Sequence, residues 1–365
     1  MERRRFLKAS MFGGVAAAGT ALAAPAIAQS SPTIRWRMPT HMPKFLPLLW
    51  AGGENFVKKV SDATDGKFQI QLSGPGEIVA PLQAYDAVTS GTVEMASTSM
   101  QYFYGKSPSF ALMSAMAFGP NTRLTNAWMY EGGGLDVCNS ILEKHKLMIL
   151  LAGGAGEQMG GWFRKEVNTL EDLKGLRFRI PGIAGEILSK VGVVPQMIPG
   201  GDIYPALERG TIDATEFTAP YDDEKLGFVK VAPYYYFPTL FEGGSVTHFL
   251  FNLDKWNELP KSYQEIVKSA AAEVNYRLPA AYDVHNPAAA KRLIEAGAKL
   301  RSFSPEIQEA VFKATNEFYQ EKAAQDADFK KLYDHMIAAR DEMYSWYRVL
   351  PFQYDAMMVR LLNQK

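Results

Sequence analysis

The sequence predicts an α/β fold of two similar lobes, with a ligand cleft between them and long helices at the C-terminal end. Three observations predict it. Residues 33–96 read as strand, helix, strand, helix, strand. Part of that pattern recurs further along the chain. From Ser262 onward the chain is nearly all helix, and from Ser304 its apolar residues recur at helical spacing.

The 365 residues begin with an address. Arg3-Arg4-Arg5-Phe6-Leu7-Lys8 holds a twin arginine, Ala9 to Ala24 is a weakly apolar Ala/Gly-rich stretch, and Ala26-Ile27-Ala28 is a small-x-small cleavage site. Residues 1–28 are expected to be a twin-arginine signal peptide that exports a folded protein beginning at Gln29. The short, weakly apolar segment argues against a membrane anchor.

Thr33 to Met38 alternates apolar and polar residues and reads as a strand. His41-Met42-Pro43-Lys44 is a loop. Pro47 to Thr64 carries Leu48, Trp50, Phe56, Val57 and Val60 at helical spacing. Asp65-Gly66 turns the chain into a strand at Phe68 to Leu72. A helix at Pro81 to Ser90 and a strand at Val93 to Ala96 complete a β-α-β-α-β run, which predicts a parallel sheet. Tyr102 and Phe103 follow; Phe103 reads as core, while Tyr102 is free to line a pocket. Cys138 sits on the inner face of a helix, and as the one cysteine it excludes an internal disulfide.

Leu147 to Leu151 is a continuous apolar strand leading into the stretch Gly153 to Gly182. Gln158 lies there in a Gly-rich segment with few other polar groups. Thr169-Leu170-Glu171-Asp172 is a capping-box signature, and Gly175 ends the short helix. Arg179 closes the alternating run Leu176 to Ile180, at the end of a strand where open α/β sheets bind ligands. An arginine there is either a fork for a carboxylate or one half of a surface ion pair.

The recurrence aligns Tyr85 to Met95 with Tyr204 to Ala214, matching Tyr, Ala, Gly and Thr outright. Both copies read as helix end, Gly cap and buried strand; a match this short also arises by chance. The alignment pairs Ser97 with Glu216, so both are expected to face the cleft. Asp222 and Asp223 read as first-turn residues of a helix. Glu216 has no such role, and a lone carboxylate between a buried strand and an aromatic needs a partner or a cation. Thr247 to Asn252 reads as a strand returning to the first lobe. Ser304-Pro305-Glu306 starts a helix, and the region runs to about Val349 with a break near Gln325-Asp326. Its apolar residues, and the aromatics from Tyr344 to Tyr354, pack either on the chain's own lobes or on a partner.

Four basic residues and one acidic residue lie in the leader, so 35 basic and 38 acidic remain. A slightly negative chain is a poor nucleic-acid partner. No other apolar run approaches the ~20 residues of a membrane span. The five histidines form no HExxH or His-x-His pair, so a zinc site is not expected.

Several runs carry a family resemblance. They are Gln158-Met159-Gly160-Gly161-Trp162-Phe163-Arg164, Gly175-Leu176-Arg177-Phe178-Arg179, Gly200-Gly201-Asp202-Ile203-Tyr204-Pro205-Ala206-Leu207, Gly210-Thr211-Ile212-Asp213-Ala214-Thr215-Glu216 and Pro220-Tyr221-Asp222-Asp223-Glu224-Lys225-Leu226-Gly227. With the leader they make the chain resemble the periplasmic solute-binding proteins of TRAP transporters, above all the branch that binds 2-oxo acids and related monocarboxylates. The resemblance spans essentially the whole mature chain. It implies a two-lobed periplasmic-binding-protein fold: residues 29–153 with about 245–290 as one lobe, 154–244 as the other, and 291–365 as helices on the lobes and on a partner chain in a homodimer.

The resemblance further implies that Arg179 holds the ligand carboxylate and that Tyr102 hydrogen-bonds the ligand. It implies a metal ion held by Gln158, Glu216 and the backbone carbonyl of Phe217. These are hard oxygen donors suited to Na⁺ or Ca²⁺, and no catalytic cofactor is implied. The partners would be a small carboxylate and the TRAP membrane subunits. Two departures affect the pocket: members of the branch carry Trp at the position of Phe217, and an aromatic is common at that of Gln101. The competing function is a twin-arginine-exported, metal-dependent enzyme acting on small carboxylic acids. Against it, the chain has no dinucleotide fingerprint, P-loop or Gly-x-Ser-x-Gly. A structural adaptor using the C-terminal aromatics is a third possibility.

Overall fold

Alternation builds the first strand pair. In β1 (Ile34–Pro39) Trp36 and Met38 point inward while Arg35 and Arg37 point out; in β2 (Phe68–Ser73) Phe68 and Ile70 do the same. The two strands pair in parallel from Ile34 opposite Phe68 to Pro39 opposite Ser73. The helix Pro47–Ala63 crosses between them and buries Phe56 and Val60 on their apolar face. The computed structural model describes residues 32–364; the twin arginine and the cleavage site lie outside the described residues.

The expected parallel sheet holds for β1 and β2 only. β3 (Met95–Thr98) makes a single parallel bridge to that pair, Thr40 to Ser97. Its ladder partner is β10 (Thr247–Asn252), which also pairs with β4 (Leu147–Gly153), both antiparallel. Burial fits this order: β3 and β4 are buried throughout and β10 nearly so, so all three need cover on both faces, and β10 takes the central place. β3 also begins two residues later than the alternation suggests, and the helix after Pro81 opens as a 3₁₀ turn before Ala84–Thr89.

A separate sheet has six strands: β5 (Gly161–Phe163), β6 (Arg177–Arg179), β7 (Val194–Gln196), β8 (Ala214–Thr215), β9 (Tyr234–Phe237) and β11 (Lys299–Ser302). Their order is β11-β9-β5-β8-β6-β7. β11 is a strand in the region that reads as nearly all helix. Gly91 and Gly210, aligned by the internal repeat, take φ of 74° and 69° before β3 and β8. A left-handed residue is needed in both places, which is why both copies keep Gly.

The helix Lys261–Glu295 packs on Pro47–Ala63, on β4 and on Pro220–Leu226. The helices Pro305–Gln325 and Ala327–Tyr347 bury Ile307, Phe318, Phe329, Leu332 and Met336 in a core shared with residues 84–188. Asp326 caps the second of them by accepting from Phe329 N at 2.8 Å, which marks the expected break. The last helix, Pro351–Leu362, has no buried residue. Among the described residues no helix is long and apolar enough to cross a membrane.

Candidate functional site

The register of the six-stranded sheet creates the site. β6 and β8 run parallel with Arg179 opposite Thr215, and both strands end there. Arg179 and Glu216 therefore leave the sheet side by side. The Arg179 guanidinium is almost wholly buried. Its Nε donates to the Ile198 carbonyl at 2.9 Å, and its Nη1 donates to the Glu216 carbonyl at 2.9 Å and to Glu216 Oε1 at 2.6 Å. The Phe217 ring lies 5.9 Å from the guanidinium carbon and against Gly200, where a Cβ would come within 2.9 Å of it. Arg179 does form an ion pair, but a buried one facing a cavity.

That cavity measures about 50 Å³, room for roughly three to five water-sized groups. Tyr102, Gln158, Arg179, Glu216 and Phe217, the five site residues expected from the sequence, all line it. Gln101 lines it too, with its backbone carbonyl 3.0 Å from where a Cβ on Gly182 would stand. Ser97 does not belong to the lining; Ser99, two residues on, takes that place. The Ser97 carbonyl instead accepts from the backbone N of His41 at 3.3 Å. The parallel bridge from Ser97 to Thr40 turns this stretch toward the sheet.

The cavity lining carries two carboxyl groups, Glu216 and Glu242, and one guanidinium, Arg179. Burial pushes the Glu216 carboxyl up to about 7, with the Asp223 charge adding to it and Arg179 opposing it. Glu242, also buried in the lining, is pushed well above the usual carboxylate range by burial and by Glu216. One guanidinium faces two carboxylates, and the surplus is relieved by protons or by a cation. Burial likewise raises the Tyr102 hydroxyl, against the pull of Arg179 beside it.

The donor set fits a hard cation. Gln158 Nε2 donates to Ser245 Oγ, which fixes the amide and leaves Oε1 buried without a hydrogen-bond partner. An orphaned buried acceptor costs about 1–3 kcal/mol unless something binds it. Amide oxygen, carboxylate and backbone carbonyl together suit Na⁺ or Ca²⁺. Among the described residues there is no group of three or more His, Cys, Asp or Glu placed to hold a metal ion.

Behind this wall Thr218 is the joint. Its carbonyl accepts from Met159 N at 3.0 Å, next to Gln158, so it ties the Gln158 segment to the Glu216 segment. Its Oγ1 donates to Asp222 at 3.3 Å. Asp222 and Asp223 do stand in the first turn of a helix, but a capping role is too small for them. Both are fully buried. Asp223 accepts from Trp162 Nε1 at 2.9 Å and from the Tyr235 hydroxyl at 2.6 Å, and Asp222 accepts from the Tyr282 hydroxyl.

Sequence reasoning missed Glu242, Ser245 and His41. Glu242 carries the signal that marked Glu216: a lone carboxylate, here in Phe241-Glu242-Gly243-Gly244-Ser245. The two glycines let this loop press on the backbone at residues 119–122, where a Cβ on either would come within 2.4–2.5 Å of an oxygen atom. Ser245 and His41 are neutral and carried no comparable signal.

The sequence pattern of the bacterial extracellular solute-binding proteins, family 7, matches residues 48–326. The chain is 43% identical over 361 residues, 97% of its length and 98% of the relative's, to the monocarboxylate 2-oxoacid-binding periplasmic protein of Nostoc sp.. It is similar to a TRAP transporter solute-binding protein of Bordetella bronchiseptica, solved as a mixed-occupancy dimer with copurified calcium and picolinate. The TM-score is 0.90 at 42% identity, covering 92% of this chain and 99% of that one. A TRAP periplasmic solute-binding protein of Pseudoalteromonas atlantica, solved with bound sodium and pyruvate, matches with a TM-score of 0.86 at 32% identity, covering 88% and 98%. The chain belongs to the bacterial extracellular solute-binding proteins of family 7, the receptors of TRAP transporters, and is a binding protein rather than an enzyme.

Proposed function

We propose that this chain captures a small 2-oxo or 2-hydroxy monocarboxylate, pyruvate-like or lactate-like, together with Na⁺ or Ca²⁺, and delivers it to TRAP membrane subunits. The observation that carries the reading is the Gln158 amide oxygen, buried and unpartnered in the same cavity as Glu216. A cation uses that oxygen and the surplus carboxylate charge at once. Gln158 Oε1, Glu216 and the Phe217 carbonyl are its proposed ligands, and the bound cation supplies coordination for the ligand's carboxylate and adjacent oxygen. Arg179, oriented by Ile198 and Glu216, receives the carboxylate, and Tyr102 donates to it. The calcium, sodium, picolinate and pyruvate of the compared structures support this reading.

In this reading residues 29–153 with about 245–290 form one lobe and 154–244 the other, with β11 added to the six-stranded sheet. The leader sends the folded chain to the periplasm by the twin-arginine route. The last helix, left uncovered, serves a homodimer, which the dimer described for the Bordetella protein supports. Native mass spectrometry of protein saturated with calcium and pyruvate or lactate tests the binding. The expected result is one acid and one cation per chain, with the acid released chemically unchanged. A chain that retains neither rejects the proposal.

A further inference from the structure

His41 is a cavity residue that the reading above leaves without a role. It stands in the loop after β1, with its ring edge-on to Tyr102 at 5.3 Å. Its Nδ1 lies 3.2 Å from the Ser97 carbonyl oxygen. A carbonyl only accepts, so Nδ1 carries the hydrogen. Burial, with Arg179 nearby, pushes the ring down to about 4 and keeps it neutral near pH 7. In that tautomer Nε2 is an acceptor, and here it is buried without a hydrogen-bond partner. The cavity thus holds two orphaned acceptors. A cation accounts for Gln158 Oε1. The Nε2 lone pair calls for a hydrogen-bond donor, and the lining next to it offers none that reaches it.

We propose that His41 Nε2 accepts a hydrogen bond from a donor on the ligand beside its carboxylate, and so extends the ligand range from 2-oxo acids to 2-hydroxy acids. A 2-oxo acid presents only acceptors at that carbon. A 2-hydroxy acid presents an O–H, whose oxygen can serve the cation while its hydrogen needs an acceptor within the cavity. A buried hydroxyl without one loses affinity. This inference rests on the monocarboxylate reading given above.

Calorimetric titration of calcium-loaded protein with pyruvate and with both lactate enantiomers tests it. His41→Phe keeps the aromatic edge against Tyr102 and removes the acceptor. It should weaken the better-bound lactate about tenfold and change pyruvate by less than about twofold. His41→Gln, whose amide carries an acceptor oxygen, should recover most of the lactate affinity. Equal losses for both acids, or no loss for lactate, would overturn the assignment. So would a loss of calcium affinity in His41→Phe measured without any acid, because His41 would then be a cation ligand. Wild-type protein that binds pyruvate but neither lactate overturns this inference alone; one that binds neither acid removes the monocarboxylate reading with it.

Discussion

At the scale of single residues, Arg179 and Glu216 define what the cavity can hold. Arg179→Lys keeps the charge but loses the planar fork and the bond to Ile198, and should weaken carboxylate binding at least about tenfold by calorimetry. Unchanged affinity would remove Arg179 from the ligand's contacts. Glu216 has its ionisation raised from 4.5 to about 7 by burial. Without a cation the folded chain therefore holds a proton there that the unfolded chain has lost, and this group's contribution to stability falls as pH rises from 4.5 to about 7. A cation must displace that proton below about 7, so cation affinity should climb with pH up to that point and level off above it. A pH-independent affinity between 5 and 8 would contradict a role for Glu216 as a ligand. These two residues were legible in the sequence because each is a charge at an apolar strand end. Gln158 was legible as an amide among glycines. His41 and Ser245 were not, since their meaning lies in which atom lacks a partner, and that depends on strands far apart in the chain.

At the scale of elements, the support behind the cavity is a set of buried hydrogen bonds between sheet, loop and helix. Asp223→Ala would leave Trp162 Nε1 and the Tyr235 hydroxyl without their acceptor in a dry setting. A loss of about 2–5 kcal/mol of stability is expected in urea unfolding. Cation binding should weaken as well, because Thr218 would lose part of its anchorage. A variant within about 0.5 kcal/mol of wild type would show that the aspartate carries little of the wall. Strand and helix periods located most elements within a few residues. The sheet order escaped them: β10 enters between β3 and β4, and only burial on both faces hints at that. Asp222 and Asp223 were read by local rules as first-turn acids, and the rules hold, but Tyr235 and Tyr282 are contacts of the tertiary fold.

At the scale of the whole molecule, the C-terminal region divides in two. Residues 305–343 cover the chain's own core, whereas Trp346, Leu350, Phe352, Tyr354, Val359 and Leu362 stay exposed. An apolar surface of that extent fits a second copy of the chain. Light scattering at low micromolar concentration should give the mass of two chains, and deletion of residues 351–365 should give one. A full-length chain that is already monomeric would reject the dimer. The sequence showed an excess of apolar and aromatic residues here but could not separate the two modes of burial, because both demand the same helical spacing. The central claim, a carboxylate held through a cation and an arginine, is tested most directly by calorimetric titration of pyruvate before and after exhaustive chelation. One acid should bind per chain with calcium or sodium present, with affinity at least about tenfold lower after chelation and restored by adding the ion back. Pyruvate binding that is indifferent to the cation, or absent with it, would contradict the account.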